Sequence, residues 1–375
     1  MRKIVLLFGK LIGKVYQRMY RKMMIGDLEE MIKHNTNLNY TKTEGEDENI
    51  RKWQALTNNV SPLAYRVYSP FIGRDVNIVP PDVSRAFIEP VLNPGDNVPF
   101  YNDKNSLNLF VSEDDTPKVY FRSICHNLMD GSYNPVRRDC FVDLFVGVDK
   151  VIVKPAKDQG GRGISFFERK DGVLKDENNI PLSINYLEKV YKTDFLIQEC
   201  FVQSEYMAQF NPTSVNTIRV NTYRDVKTGE IHVLGAVLRM GKTGAVVDNA
   251  SLGGVFVGID GDGKLGNCTF DKYGREYRVY NDIDFETNTF NIPNYEEVKK
   301  FAVKVSLRVP HMSLFALDIV LDKDNTPKLI EVNTQSFCYY FMQLSNRPIF
   351  GEFTDDVISY CRDNKDNMRV RFRYL

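Results

Sequence analysis

No cysteine of this chain stands in a C-x-x-C pair, no apolar run is long enough to cross a bilayer, and neither sign of charge is in excess. Each absence excludes a class of protein. The six cysteines are scattered, mostly among apolar neighbours, which suits buried thiols in a reducing compartment and argues against a disulfide framework or a structural zinc. With 49 basic and 49 acidic residues the formal charge is zero, so the chain as a whole is no polyanion binder, and no nucleic-acid partner is expected. The apolar run at 4–8 is too short for a signal-peptide core or a membrane span. Five residues separate Gly235 from Gly241 where a Walker A loop has four, and no helical pattern follows Thr243. The acidic stretch at 260–263 lacks the further carboxylates of a calcium loop and reads as a turn. What remains is a cytoplasmic chain of 375 residues, 43% apolar and 26% charged, long enough for two or three lobes.

The stretch that organises the rest is 151–164, VIVKPAKDQGGRGI. Its β-branched start suits a strand, Lys154 offers a compact ammonium to phosphate oxygens, and Pro155 ends the ladder. Gly160, Gly161 and Gly163 have no Cβ, so the backbone can turn its N–H groups toward an anion. The alternative is a plain hairpin with a flexible turn, and the remainder of the chain has to decide between them.

Residues 1–25 carry seven Lys or Arg and no acid, with Phe8, Ile12, Val15 and Met19 at helical spacing. Two readings fit: a basic amphipathic helix in peripheral contact with an anionic membrane at its inner face, or a helix docked on its own protein. Prolines between 62 and 94 break the next segment into short pieces. Lys104 follows Asp103 at the predicted start of a helix, and 135–150 reads as a charged helix. Predicted strands follow at 195–201, 214–223 and 231–240. Gln198 and Glu199 interrupt the first, where unpartnered polar groups cost about 1–3 kcal/mol each, so they face either solvent or a ligand. On the second, Thr217, Arg219 and Asn221 share one face, which suits an anion site or a solvent-facing strand equally.

The strands at 315–321 and 328–332 are joined across DKDNTP, with Asp324 and Asn325 as turn residues. A turn centred there puts Asp318 directly opposite Glu331, with Asn333 on the same face as Glu331. Two carboxylates so placed repel. A divalent cation relieves that, and two carboxylates with an amide oxygen are the hard donors magnesium accepts when phosphates complete its shell. The alternative is a solvent-facing hairpin with adverse charges.

This order of parts, strand-lysine and glycine loop, strand with an acidic hinge, then Asp318 and Glu331-Val332-Asn333 on a hairpin, resembles the ATP-grasp superfamily over about residues 98–333. The segments 214–223 and 248–254 and the closing Gln343 resemble its sugar-transfer-associated members in surface-polysaccharide clusters. The resemblance implies an α+β fold in which two lobes grip ATP. It divides the chain into a basic helical extension (1–60), a preceding lobe (61–145), a small lobe with the glycine loop (146–205) and a large lobe with the metal hairpin (206–375). It further implies that Lys154 and Lys104 contact phosphates under the 160–163 loop. Gln198, Glu199 and Val202 form the adenine hinge, Glu205 binds the ribose, and Asp318, Glu331 and Asn333 hold Mg2+. The implied reaction is ATP-dependent ligation of a small-molecule or glycan-linked carboxylate to an amine, with direct phosphorylation of a sugar or lipid-linked alcohol as the alternative. Two positions depart from the related D-alanine ligases: Ala316 stands where they place an arginine, and Thr334-Gln335-Ser336-Phe337 replaces their Pro-Gly turn. Arg219 and Arg239 are the candidates for the missing catalytic charge.

Overall fold

The computed structural model describes residues 2–157, 162–245, 248, 253–335 and 337–371. Two antiparallel sheets face each other across the site. The small sheet is built from β1 (Val119–Ile124), β2 (Asn127–Asp130), β3 (Lys150–Pro155), β4 (Ser165–Lys170), β5 (Val173–Lys175) and β6 (Phe195–Glu199), in the order β2-β1-β6-β3-β4-β5. It therefore takes its first two strands from residues 119–130, ahead of the boundary at 146 read from the sequence. β-Branched and aromatic residues alternate along these strands, so that Phe121, Val151, Val153, Phe167, Phe195 and Ile197 make one apolar face. Phe141 and Phe145 cover that face from a 3-10 helix (Arg138–Phe145), which is what the expected charged helix at 135–150 becomes. The opposite face carries Lys154.

The large sheet contains β7 (Thr217–Arg224), β8 (Ile231–Met240), β9 (Val255–Ile259), β10 (Thr269–Phe270) and β11 (Glu276–Tyr277). A short ribbon, β12 (Val279–Tyr280) with β13 (Ile283–Asp284), precedes the closing hairpin of β14 (Leu314–Leu321) and β15 (Pro327–Asn333). Its order is β11-β10-β9-β8-β7-β14-β15, which puts the hairpin beside β7. One face buries Ile218, Val220, Leu238, Leu317 and Ile319 against the helix Tyr295–Leu307, whose Tyr295, Val298, Ala302 and Val305 recur at helical spacing. The other face is shared by the polar rows of the site and by a second apolar cluster. There Phe341, Met342 and Leu344 of the helix Tyr340–Ser345 pack with Leu28, Trp53, Tyr65 and Tyr68 from the start of the chain. Burial of each such side chain is worth roughly 1.5–3 kcal/mol. Gly258 on β9 permits the close approach, since a Cβ there would stand 2.3 Å from the Ser345 carbonyl oxygen. Gln343 adds a polar clamp: its amide oxygen accepts from Val79 N–H at 2.8 Å and its NH2 donates to Val79 C=O at 3.0 Å. Residues 28–79 are thereby part of the large lobe's core.

Candidate nucleotide and metal site

The hairpin pairs as the turn residues predict: Asp318 faces Glu331 and Ala316 faces Asn333. Asn325 takes the left-handed conformation (φ 58°), and the Asp322 carboxylate holds the turn by accepting from the N–H groups of Asp324 and Thr326. Ile319 pairs with Leu329, so Ile330 is an extra residue beside Glu331. Such a bulge bends the strand and re-aims its side chains next to the paired carboxylates.

The charge on Asp318 is met from within the sheet. Arg219 lies directly across β7 from it and donates both Nε, at 2.7 Å, and Nη2, at 2.6 Å, to its two oxygens. Arg239, on β8 opposite Thr217, comes within 3.3 Å of the same carboxylate and bonds Asp248 at 3.2 Å. The Thr217 hydroxyl donates to the other oxygen of Asp248. Burial pushes the Asp318 carboxyl up, but the two guanidiniums outweigh it and hold it below the usual carboxylate range. For Asp248 burial wins over Arg239, and its carboxyl is raised. The Phe341 ring lies 5.5 Å from the Arg219 guanidinium and 5.9 Å from that of Arg239, sealing both on the apolar side.

A second cluster straddles the two sheets. Lys104 opens the 3-10 helix Lys104–Leu109, capped by Asp103, and its backbone N–H donates to Ala156 C=O at 3.0 Å, just past the end of β3. That bond sets Lys104 beside Lys154, and the Lys104 ammonium reaches Glu331 at 3.3 Å. Lys154 is partly buried; desolvation, then the neighbouring Lys104, lowers its pKa to about 8, with Glu331 acting in the opposite sense. The small sheet anchors this arrangement through Arg122, which is 0% exposed. Arg122 donates to the carbonyls of Gly131 (3.2 Å), Lys104 (3.4 Å) and Asn105 (3.3 Å) and stacks on Tyr133. Sequence reading passed over this residue. An arginine inside the strand VYFRSI carried the same signal of an unpartnered polar group that singled out Gln198.

The register of β3 and β6 separates the two hinge residues. Ile152 pairs with Gln198 and Lys154 with Leu196, so Gln198 shares the face of Lys154; Val151 pairs with Glu199, which therefore points to the opposite face. There Glu199 accepts from the Lys118 N–H at 2.8 Å and closes the start of β1. Val202 is 73% exposed, and Glu205 is exposed in the first turn of the short helix Glu205–Ala208. A cleft of about 880 Å3 runs past Glu199, Cys200, Val202, Lys118 and Lys328, on the Glu199 side of the hinge, and none of Lys104, Lys154, Asp318 or Glu331 lines it. Gly163 has φ 68° and lies against Pro155, whose Cγ would stand 2.9 Å from a Cβ there; Gly160 and Gly161 lie outside the described residues. The structure thus brings Lys104, Lys154, Asp318, Glu331, Asn333, Arg219 and Arg239 together, with Gln198 on the same face as Lys154.

Among the described residues no three His, Cys, Asp or Glu side chains converge. The hard oxygen donors at the site are Asp318, Glu331 and the Asn333 amide, a set chemically suited to Mg2+ once phosphate oxygens complete the shell. Asn333 also donates to the Ala316 carbonyl at 3.2 Å, which fixes its side chain beside Asp318.

Comparison with known proteins agrees with this arrangement of parts. The family model for sugar-transfer associated ATP-grasp matches residues 84–354. No curated protein matches the chain. Among solved structures, one similar fold is the biotin carboxylase domain of Hydrogenobacter thermophilus 2-oxoglutarate carboxylase, crystallised with MgADP, ADP and bicarbonate. It is 13% identical, with 75% of this chain and 49% of that one covered and a TM-score of 0.43. The chain spans about half the length of that protein. The D-alanine–D-alanine ligase of Bacillus anthracis is 14% identical over 72% of this chain and 69% of its own, at a TM-score of 0.37. D-cycloserine synthetase DcsG is 11% identical over 73% of each chain, at 0.42. With nearly three quarters of its length matched by the family model, the chain belongs to the sugar-transfer associated ATP-grasp family.

Proposed function

We propose that the protein is an ATP-dependent carboxylate–amine ligase that works through an acylphosphate in cell-surface polysaccharide biosynthesis or modification. The observation that carries this reading is the convergence of two ammoniums from the small-sheet side, Lys104 and Lys154, on Glu331 of the large sheet, whose partner across the hairpin is Asp318. A triphosphate needs cations around it; the small-sheet side supplies two ammoniums, and the carboxylates of the large sheet suit a metal ion. Lys154 and Lys104 take phosphate oxygens, while Ile152 and Gln198 offer an apolar and a polar contact on the same face for the base. Mg2+, held by Asp318, Glu331 and Asn333, would neutralise charge between the β and γ phosphates. A carboxylate oxygen then attacks the γ phosphorus as its bond to ADP breaks; the amine displaces phosphate from the acylphosphate and loses a proton. The polysaccharide setting rests on the family alone. The substrates are a small-molecule or glycan-linked carboxylate and an amine.

One observation favours a second reading, a kinase that phosphorylates a sugar or lipid-linked alcohol. The segment after Asn333 is occupied by the protein itself: Thr334 is fully buried, its hydroxyl donates to Asn102 at 2.7 Å, and its carbonyl accepts from Asn93 at 2.9 Å. Ala316 stands where the D-alanine ligases place an arginine, and the Arg219 guanidinium is bound to Asp318.

Two measurements test these readings. Mg-ATP at a hundredfold excess over its dissociation constant stabilises the native state by about 2.7 kcal/mol, read as a raised melting temperature; unchanged melting sinks both. With a panel of uronic acids and amines, the ligase releases inorganic phosphate with ADP. A kinase releases ADP alone and leaves the phosphate on the acceptor.

A further inference from the structure

Beyond the reaction, the N-terminal helix carries a surface of its own. The helix Arg2–His34 is fastened to the body by one face. Tyr16 and Tyr20 are each 1% exposed, Arg85 stacks on the Tyr20 ring at 4.5 Å, Arg21 pairs with the buried Asp82 at 3.2 Å, and Gln17 donates to the Met368 sulfur. The remaining circumference is turned outward. Leu11 (56% exposed), Ile12 (42%), Val15 (52%), Met19 (41%) and Met23 (40%) fall within about 120° of the helix at 3.6 residues per turn. Lys14 and Arg18 stand along one border of that stripe and Lys22 just inside it, all exposed. The first acidic residue of the chain is Asp27. Five of the sixteen large apolar side chains exposed among the described residues lie between Leu11 and Met23, so this stripe is a local concentration.

We propose that this outward face lies in the plane of an anionic lipid surface, with Leu11, Ile12, Val15, Met19 and Met23 at the acyl boundary and Lys14, Arg18 and Lys22 on headgroup phosphates. Charge complementarity selects this occupant. A second copy of the chain would bring the same basic border against its like, and a zwitterionic surface offers no net charge to attract it. The helix is not long and apolar enough to span a membrane, and its third face is already bound to the protein, so it rests on the surface. The two readings of residues 1–25 are then both satisfied, one by each side of the helix.

The test uses the full chain and sedimentation with vesicles of phosphatidylcholine alone or mixed with phosphatidylglycerol. The protein is expected to pellet with the anionic vesicles, to be released by salt, and to ignore phosphatidylcholine. The Lys14→Glu, Arg18→Glu, Lys22→Glu triple variant should lose at least about a hundredfold in partition, roughly fivefold for each positive charge removed. A Leu11→Gln, Val15→Gln, Met19→Gln variant should fail as well. Both sets of positions face solvent, so melting should not change. Lys170→Glu, Lys189→Glu, Lys192→Glu, the same charge change on the small lobe, should bind as the parent does. Equal binding by parent and either helix variant, or loss in the control triple, overturns the proposal. So does a concentration-dependent dimer that the glutamine variant abolishes, which would give the stripe to a second copy.

Discussion

The two charge clusters of the site differ in what holds their charges in place. On the large sheet, two guanidiniums meet two carboxylates: Arg219 occupies both oxygens of Asp318, Arg239 bridges Asp318 to Asp248, and Phe341 closes the apolar side. Between the sheets, the Lys104 ammonium pairs with Glu331 and stands beside Lys154, whose pKa burial and then Lys104 lower to about 8. The first cluster is a frame, since its guanidiniums and carboxylates pair with one another and tie β7, β8 and β14 together. The second presents two ammoniums at the place where a triphosphate would lie. Separation of framing charge from binding charge lets one site be rigid and still attract a polyanion.

That contrast makes Asp318→Asn the most damaging change at the site. It leaves Arg219 and Arg239 buried with an amide in place of their shared carboxylate, and breaking a buried pair costs about 3–5 kcal/mol. Equilibrium urea unfolding should register this along with loss of activity; a cost below about 1 kcal/mol would show that the frame is no frame. Arg122→Met should come next. It strips a donor from the buried carbonyls of Gly131, Lys104 and Asn105, at about 1–3 kcal/mol, and should weaken nucleotide binding, because the turn that presents Lys104 loosens. If nucleotide titration gives the parental affinity, the turn does not depend on that arginine.

Glu331→Gln sharpens the comparison from the other side. The Lys104–Glu331 pair is 15% and 18% exposed, so its loss should cost about 1.5–3 kcal/mol of stability, less than that of the Asp318 cluster, whereas ADP release with a working acceptor should fall steeply. Equal rates would remove Glu331 from the reaction. The smallest effect expected is a proton. Burial and Lys104 lower Lys154 from 10.5 to about 8, so between those values the unfolded chain holds a proton that the native state has released, and this group makes stability rise with pH across that window. A bound triphosphate favours the charged ammonium. Nucleotide affinity should therefore weaken as pH climbs past about 8, with uptake of up to one proton on binding, measured by calorimetry in buffers of different ionisation enthalpy. No uptake at pH 8.5, or the same uptake in Lys154→Arg, would contradict this.

The hairpin was legible because its information is local. Alternation along FALDIVL and KLIEVN with a turn between them fixes which residues oppose, and Asp318 does face Glu331. The bulge at Ile330 was not legible, since no glycine or polar residue marks it. Nor was the service of Arg219: its carboxylate partner lies 99 residues away, and nothing local sets the register of β7 on β14. The sequence reading met the repulsion between Asp318 and Glu331 with a metal alone, whereas the chain also answers each carboxylate with its own cations. The opposed faces of Gln198 and Glu199 were within reach of the sequence, because adjacent strand residues alternate. Gln343, noted only as part of a resemblance, turns out to grip the backbone of Val79.

That grip bears on how the protein can be cut. The family match begins at residue 84, yet the large sheet and the helix behind Phe341 rest on Leu28, Trp53, Tyr65 and Tyr68, and Gln343 answers to Val79. A fragment trimmed to the matched region would carry the full set of charged groups at the site on a sheet face stripped of part of its apolar packing. For this chain the stretch that the family model matches is shorter than the core that packs around it.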